Sequence, residues 1–273
     1  MNSNININYI VDGEKHSIEA VKVSFGLTST VTFLEDVYNV LLQNLAHRCS
    51  AIEPFFHAVF KIEKLSNIDP LEHAGEILNE DIYIIKRMNS INLIFNNPDK
   101  TSALIETYQD DENLISLYVQ SKNNWINYHE VLRSLIIYVT STFKSAVKWI
   151  EMEFIDKFIS INQNSCIDEI VKNNNKYFST KYFKKDSDYE LFTKKYYPHS
   201  PAINYNAIES WKLSCDYNGN ITINNIMTRM YIQECDVLLF RIEVDEILNK
   251  MYNNNKRFLS EILTNEAKTL INL

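Results

Sequence analysis

Residues 114–156 read LISLYVQSKNNWINYHEVLRSLIIYVTSTFKSAVKWIEMEFID, and the side-chain period changes twice along them. Leu114–Val119 is an apolar run of strand length, Trp125–Phe143 follows a three- and four-residue step, and Val147–Ile155 alternates. In the middle segment Trp125, Tyr128, Leu132, Leu135, Val139 and Phe143 stack on one helical face, while Glu130, Arg133 and Ser134 lie off it. In the last segment Ile150, Met152 and Phe154 point one way and Glu151 and Glu153 the other. The stretch predicts a strand, a long amphipathic helix packed on a sheet, and a second strand returning along the first.

Working outward toward the N-terminus, a short strand is expected around Ile7–Val11, closed by an Asp12-Gly13 turn. A half-buried strand follows at Ile18–Phe25, where Val21, Val23 and Phe25 alternate with Lys22 and Ser24. Thr32 and Glu35 have the spacing of a capping box for a helix running to about His47, with Phe33, Val37, Val40, Leu41 and Leu45 inward. Strands are expected at Phe55–Lys64, Asp81–Arg87, Ile91–Phe95 and Ala103–Thr107, the last three separated by short turns.

Toward the C-terminus, residues 173–205 lose periodicity and gain Asn, Lys, Tyr and Phe, as a connector does. Order returns at Ile208–Tyr217, with a turn at Asn218-Gly219-Asn220 and a matching strand from Ile221. Val237–Val244 alternates as a strand, and a closing helix carries Phe258, Ile262 and Leu263 with a restart at Thr264. The fold class expected is α+β, a mostly antiparallel sheet with strand–helix–strand units and a C-terminal helix. Two halves are expected, 1–160 and 161–273, the second entered through a Lys/Tyr/Asn-rich connector at 172–206 and both packed as one unit.

Composition limits the function classes. The chain has 273 residues, 45% of them hydrophobic, enough for a sizeable core. Its net charge of −8 repels nucleic acid and anionic membrane, so either contact needs a local basic patch. No apolar run approaches the roughly 18 residues of a membrane-spanning helix. Cys49, Cys166, Cys215 and Cys235 form no CxxC pair, and a cytoplasmic location is the expectation. With only four glycines there is no P-loop and no GxGxxG turn, both of which need backbone without Cβ beside a phosphate.

Several order-of-parts features resemble one family. Ile18–Phe25 is similar to the opening "valine-glutamate-alanine" strand of a patchily distributed, uncharacterised bacterial family of similar length. Leu114–Leu117 followed by Trp125 and Tyr128 is similar to its central "tryptophan then helix" step. Phe258–Glu266 resembles its closing "isoleucine-threonine-aspartate-glutamate" helix, although Asn265 stands where that family has an acid. The resemblance implies an α+β architecture, no catalytic residues to carry over, and a gene of the mobile or defence-associated kind.

Three clusters are candidates for chemistry. Glu151 and Glu153 share a strand face, with Asp156 just beyond, and paired carboxylates hold divalent cations or do acid–base work; a solvated face accounts for them equally. His47, Cys49 and His57 offer zinc-ligand types but match no closed site, and His129 has no nucleophile in sequence reach. Lys172–Tyr197 interleaves lysines with rings, and Lys181, Lys184, Lys185, Tyr182 and Phe183 are its candidate nucleic-acid contacts, interrupted by Asp186, Asp188 and Glu190. The reading reached is a non-enzymatic protein-interaction module, without cofactor or membrane, whose partner is another protein or a second copy of the chain. The alternatives are a nucleic-acid-binding accessory protein using 172–197 and a metal-dependent hydrolase using Glu151 and Glu153.

Overall fold

The computed structural model describes residues 7–11, 16–28, 34–62, 82–97, 101–108, 111–121, 125–143, 146–161, 166–179, 189–198 and 205–273. The Asp12-Gly13 turn, the Thr32 cap and the five candidate nucleic-acid contacts Lys181, Tyr182, Phe183, Lys184 and Lys185 lie outside them.

Ten strands form one antiparallel sheet among these residues. In chain order they are β1 Tyr9–Ile10, β2 Ile18–Leu27, β3 Cys49–Ile62, β4 Ile82–Phe95, β5 Ser102–Tyr108, β6 Asp111–Gln120, β7 Val147–Ser160, β8 Tyr189–Tyr197, β9 Tyr205–Cys215 and β10 Ile221–Cys235. The helices are α1 Leu34–Leu45, α2 Trp125–Thr140, α3 Val237–Ile262 and α4 Asn265–Leu270. The strand order is β3-β4-β5-β6-β2-β7-β10-β9-β8, with β1 added on β7. The chain is thus α+β, mostly sheet, closed by C-terminal helix.

The parity of β7 organises the packing. Ile150, Met152 and Phe154 are buried and pair across β2 with Phe25, Val23 and Val21, which are buried on the same face. Ile115, Leu117 and Val119 of β6 continue that row. The face of α2 that closes over it carries Tyr128, Leu132, Leu135 and Val139, none of which reaches solvent. At roughly 1.5–3 kcal/mol per fully buried large apolar side chain, this layer is the main source of stability. Tyr128 also fixes the helix polar end: its hydroxyl donates to Ser121 O at 2.6 Å and accepts from Ser121 N at 2.9 Å.

Two expectations are corrected. β7 does not lie beside β6: β2 occupies the slot between them and runs antiparallel to both. A helical crossover brings the chain back in the direction it left, so β6 and β7 are parallel, and an antiparallel strand between them satisfies both ladders. Residues 237–244, expected as a strand, open the 26-residue helix α3. Phe240, Val244, Ile247, Leu248 and Met251 are buried at helical spacing, while Ile242 is 78% exposed.

α3 spans two parts of the core. Its first half packs on α2 and on the β7–β10 part of the sheet and joins the core cluster of the β2–β6–β7 row. Its second half brings Phe258, Leu259 and Ile262 onto Phe158, Trp211, Leu213 and Ile223, beside Ile167, Ile170 and Phe178 from the segment after β7. Thr264 then caps α4, its hydroxyl accepting from Ala267 N at 3.1 Å.

Candidate functional site

The carboxylates singled out in sequence do not converge. Glu151 and Glu153 lie on the outward face of β7, and each is bound by a neighbour on β10. Thr228 Oγ1 donates to Glu151 Oε2 at 2.9 Å, and Asn224 Nδ2 donates to Glu153 Oε1 at 2.6 Å. Asp156 is on the opposite face and fully buried. An odd-to-even step along a strand reverses the side chain, so 151 and 153 are separated from 156 by the sheet itself. No group of three His, Cys, Asp or Glu side chains suited to a metal occurs among the described residues.

Asp156 is a structural acid. Ser17 Oγ donates to its Oδ1 at 2.6 Å and Asn255 Nδ2 to its Oδ2 at 3.1 Å; Asn225 Nδ2 in turn donates to Asn255 Oδ1 at 2.9 Å. Burial pushes the carboxyl up to about 6, with both hydrogen bonds partly offsetting that rise. The network pins α3 to β7 and β10.

Of the histidine and cysteine candidates, Cys49 and His129 are built into the scaffold, and His47 is exposed in the turn after α1. Cys49 is buried, and burial pushes its thiol up to about 11, away from the thiolate a metal requires. The His57 side chain lies outside the described residues. His129 stands edge-on to Trp125, with Nε2 3.6 Å from Asp245 Oδ1, and Arg133 binds the same carboxylate at 2.9 Å. That group joins α2 to α3.

The Lys/aromatic stretch divides. Tyr177 packs on Trp211 and Phe258, and Phe178 is buried in the same cluster. Lys172 Nζ donates to Glu261 O at 3.2 Å, and Lys176 pairs with the Glu261 carboxylate. These residues close the C-terminal half of the core. Farther on, 189–197 form β8, which pairs with β9 on one side. Along β8 the odd residues follow Leu191 toward the helices, opposite Leu213, and the even ones face outward. Glu190, Phe192, Lys194 and Tyr196 therefore form an outward row, with Phe192 58% and Tyr196 55% exposed. Among the described residues no strand pairs with the other edge of β8.

On the helix side of the same strands a cavity of about 240 Å³ opens between α3 and β8–β10. Arg229, Lys250 and Arg257 line it with Glu209, Tyr197, Tyr205, Met227 and Met251. Sequence reasoning missed this site because its residues come from four elements and carry no local pattern.

No family model matches the chain, and no curated protein matches it. Among solved structures, the crystal structure of the di-domain ARO/CYC BexL from the BE-7585A biosynthetic pathway aligns over 93% of this chain and 97% of its own. Identity is 8% and the TM-score 0.20, which falls short of a shared fold. No helix among the described residues is long and apolar enough to cross a membrane.

Proposed function

We propose that this chain is a non-enzymatic protein-interaction module and that β8 docks a second copy of the chain. The observation that carries the reading is the order of side chains on that edge. Glu190, Phe192 and Lys194 sit at two-residue steps on the outward face. If two β8 strands pair antiparallel about a two-fold axis at Phe192, the two phenyl rings meet at the axis, and Glu190 of each copy faces Lys194 of the other. Directly opposed side chains in an antiparallel pair share a face, so both charge pairs form together. Glu190 already binds Lys212 Nζ at 2.7 Å, which holds it in place on the outward face.

An isologous interface of this kind satisfies the hydrogen-bonding groups of the β8 edge and covers exposed aromatic surface. Lysines on an edge strand disfavour unselective pairing, and here they favour one register. The hydrolase alternative has no converging carboxylates among the described residues to support it, and in the described part of 172–197 Phe178 is buried in the core and Tyr177 packs against it.

Sedimentation velocity across a concentration series tests the reading. The wild-type chain is expected to pass from monomer to dimer as concentration rises. Lys194→Glu places like charges opposite one another in the homodimer, and so does Glu190→Lys; each variant alone is expected to remain monomeric. Mixed in equal amounts they restore both opposite-charge pairs, and a heterodimer is expected. A wild-type chain that stays monomeric throughout, or single variants that dimerise as well as it does, overturns the proposal.

A further inference from the structure

The cavity between α3 and β8–β10 is lined by three cations, Arg229, Lys250 and Arg257, and one carboxylate, Glu209. Arg229 is only 8% exposed, which is unusual for a guanidinium, and it forms no ion pair with a described carboxylate. Its guanidinium carbon lies 4.7 Å from the centre of the Tyr205 ring. A cation–π contact of that kind holds the fork flat while leaving its N–H donors to point elsewhere. Lys250 and Arg257, two turns apart on α3, line the same cavity and form no ion pair with described carboxylates either; Lys250 Nζ is 3.5 Å from Tyr205 Oη. The one carboxylate in the lining, Glu209, accepts a hydrogen bond from Tyr197 Oη at 2.8 Å. The lining thus carries three cations and one carboxylate; Arg229 is the buried cation, and Arg257, exposed on α3, also acts on the nearby Glu261 carboxylate.

A buried cation without a counter-charge costs free energy, because desolvation is not returned by a partner. Arg229 is on a central stretch of β10, with Met227 buried two residues before it, so it does not reach bulk water by fraying. The rest of the lining is mostly apolar or aromatic, with Met227, Met251 and the rings of Tyr197 and Tyr205, and includes the polar Thr228 and Asn254. The volume of about 240 Å³ lies below the roughly 300–1,000 Å³ of pockets for drug-sized ligands, which limits the occupant to a charged group and a small body.

We infer that this cavity is a binding site for a small phosphomonoester carrying a ring or short apolar group. A phosphomonoester presents several anionic oxygens to the three cations of the lining, whereas a monocarboxylate presents two. Arg229 supplies a planar fork for two phosphate oxygens, and Lys250 and Arg257 reach the group from α3. The rings and methionines accept the apolar body. This site is on the opposite face of the sheet from the Glu190–Phe192–Lys194 row, so it does not depend on dimerisation.

Titration calorimetry with phenyl phosphate on the full chain tests the inference, with inorganic phosphate and phenol as the two halves of the probe. Saturable binding with one site per chain is expected for phenyl phosphate, weaker binding for phosphate, and none for phenol. Lys250→Gln and Arg257→Gln alter exposed positions of α3 and leave the core intact; each is expected to weaken phenyl phosphate about tenfold, as loss of a charge-assisted hydrogen bond does. Arg229→Lys keeps the charge and loses the fork, and is expected to weaken binding by a similar factor with the melting temperature checked alongside. Binding that persists in Lys194→Glu separates this site from the proposed dimer. Absence of saturable phenyl phosphate binding at low salt, or binding unchanged in both α3 variants, overturns the inference. So does an oligonucleotide that binds at the cavity when phenyl phosphate does not.

Discussion

Asp156 and Asn255, ninety-nine positions apart, meet in the fully buried seam between β7 and α3, where Asn255 Nδ2 donates to Asp156 Oδ2 at 3.1 Å. Neither residue is exposed by more than 1%, so the carboxyl reports directly on whether the long helix is seated.

The first prediction follows from its titration. The Asp156 carboxyl is raised by burial from 3.8 to about 6, so between those values the folded chain binds a proton that the unfolded chain has released. The contribution is fully present below about pH 4 and is lost as pH rises through about 6. It amounts to something on the order of 3 kcal/mol at 1.36 kcal/mol per unit. Asp156→Asn removes that dependence. In urea unfolding at a series of pH values, the variant-minus-wild-type difference is expected to climb between pH 4 and 6 and level off above 7. A difference curve that stays flat across that window contradicts the titration.

The second prediction tests the inward face of α2. Leu132→Ala and Leu135→Ala each remove a fully buried side chain and are expected to cost about 2–5 kcal/mol. Glu130→Ala breaks only a solvent-exposed pair with Arg48 at 2.9 Å and is expected to cost less than about 1 kcal/mol. Chemical denaturation that gives similar losses at all three positions would place the wrong face inward.

The α2 face was legible because its apolar residues recur at helical spacing without interruption over Trp125–Val139, and local periodicity alone assigns them. The β9–β10 hairpin was legible for a different reason: Asp216 Oδ1 accepts from Asn218 N and Asn220 N, both at 2.9 Å, and Gly219 takes φ +80°, so turn chemistry is written into five adjacent residues. The insertion of β2 between β6 and β7 was not legible, since strand adjacency over a hundred residues leaves no local mark. The cavity beside Arg229 was hidden for a similar reason. Arg229 reads as an ordinary strand cation until Tyr205 and α3 are placed around it.

The third prediction concerns Gly26, whose missing side chain is covered by the cross-strand Trp149. A Cβ at position 26 would run into the Trp149 indole ring. Gly26→Ala therefore forces the indole off its strand, at a cost of about 1–3 kcal/mol typical of overpacking. Trp149 becomes more solvated, and a red shift in tryptophan emission is expected with the loss of stability. A stabilised variant with unchanged emission would show that the ring moves aside freely.

The last prediction separates the helix from the strand at 237–244. On a strand, Phe240 and Ile242 share a face, and replacing either should cost about the same. On α3 they are two residues apart, about 200° around the axis: Phe240 is fully buried and stands edge-on to Phe25 at 5.6 Å between ring centres, while Ile242 is 78% exposed. Phe240→Ala is expected to cost about 3–5 kcal/mol, combining lost burial with the cavity left against Phe25. Ile242→Asp is expected to fall within about 0.5 kcal/mol, because most of its side chain already meets solvent. Measured by urea unfolding, a large loss at both positions would return this segment to the sheet and remove the first two turns of the helix.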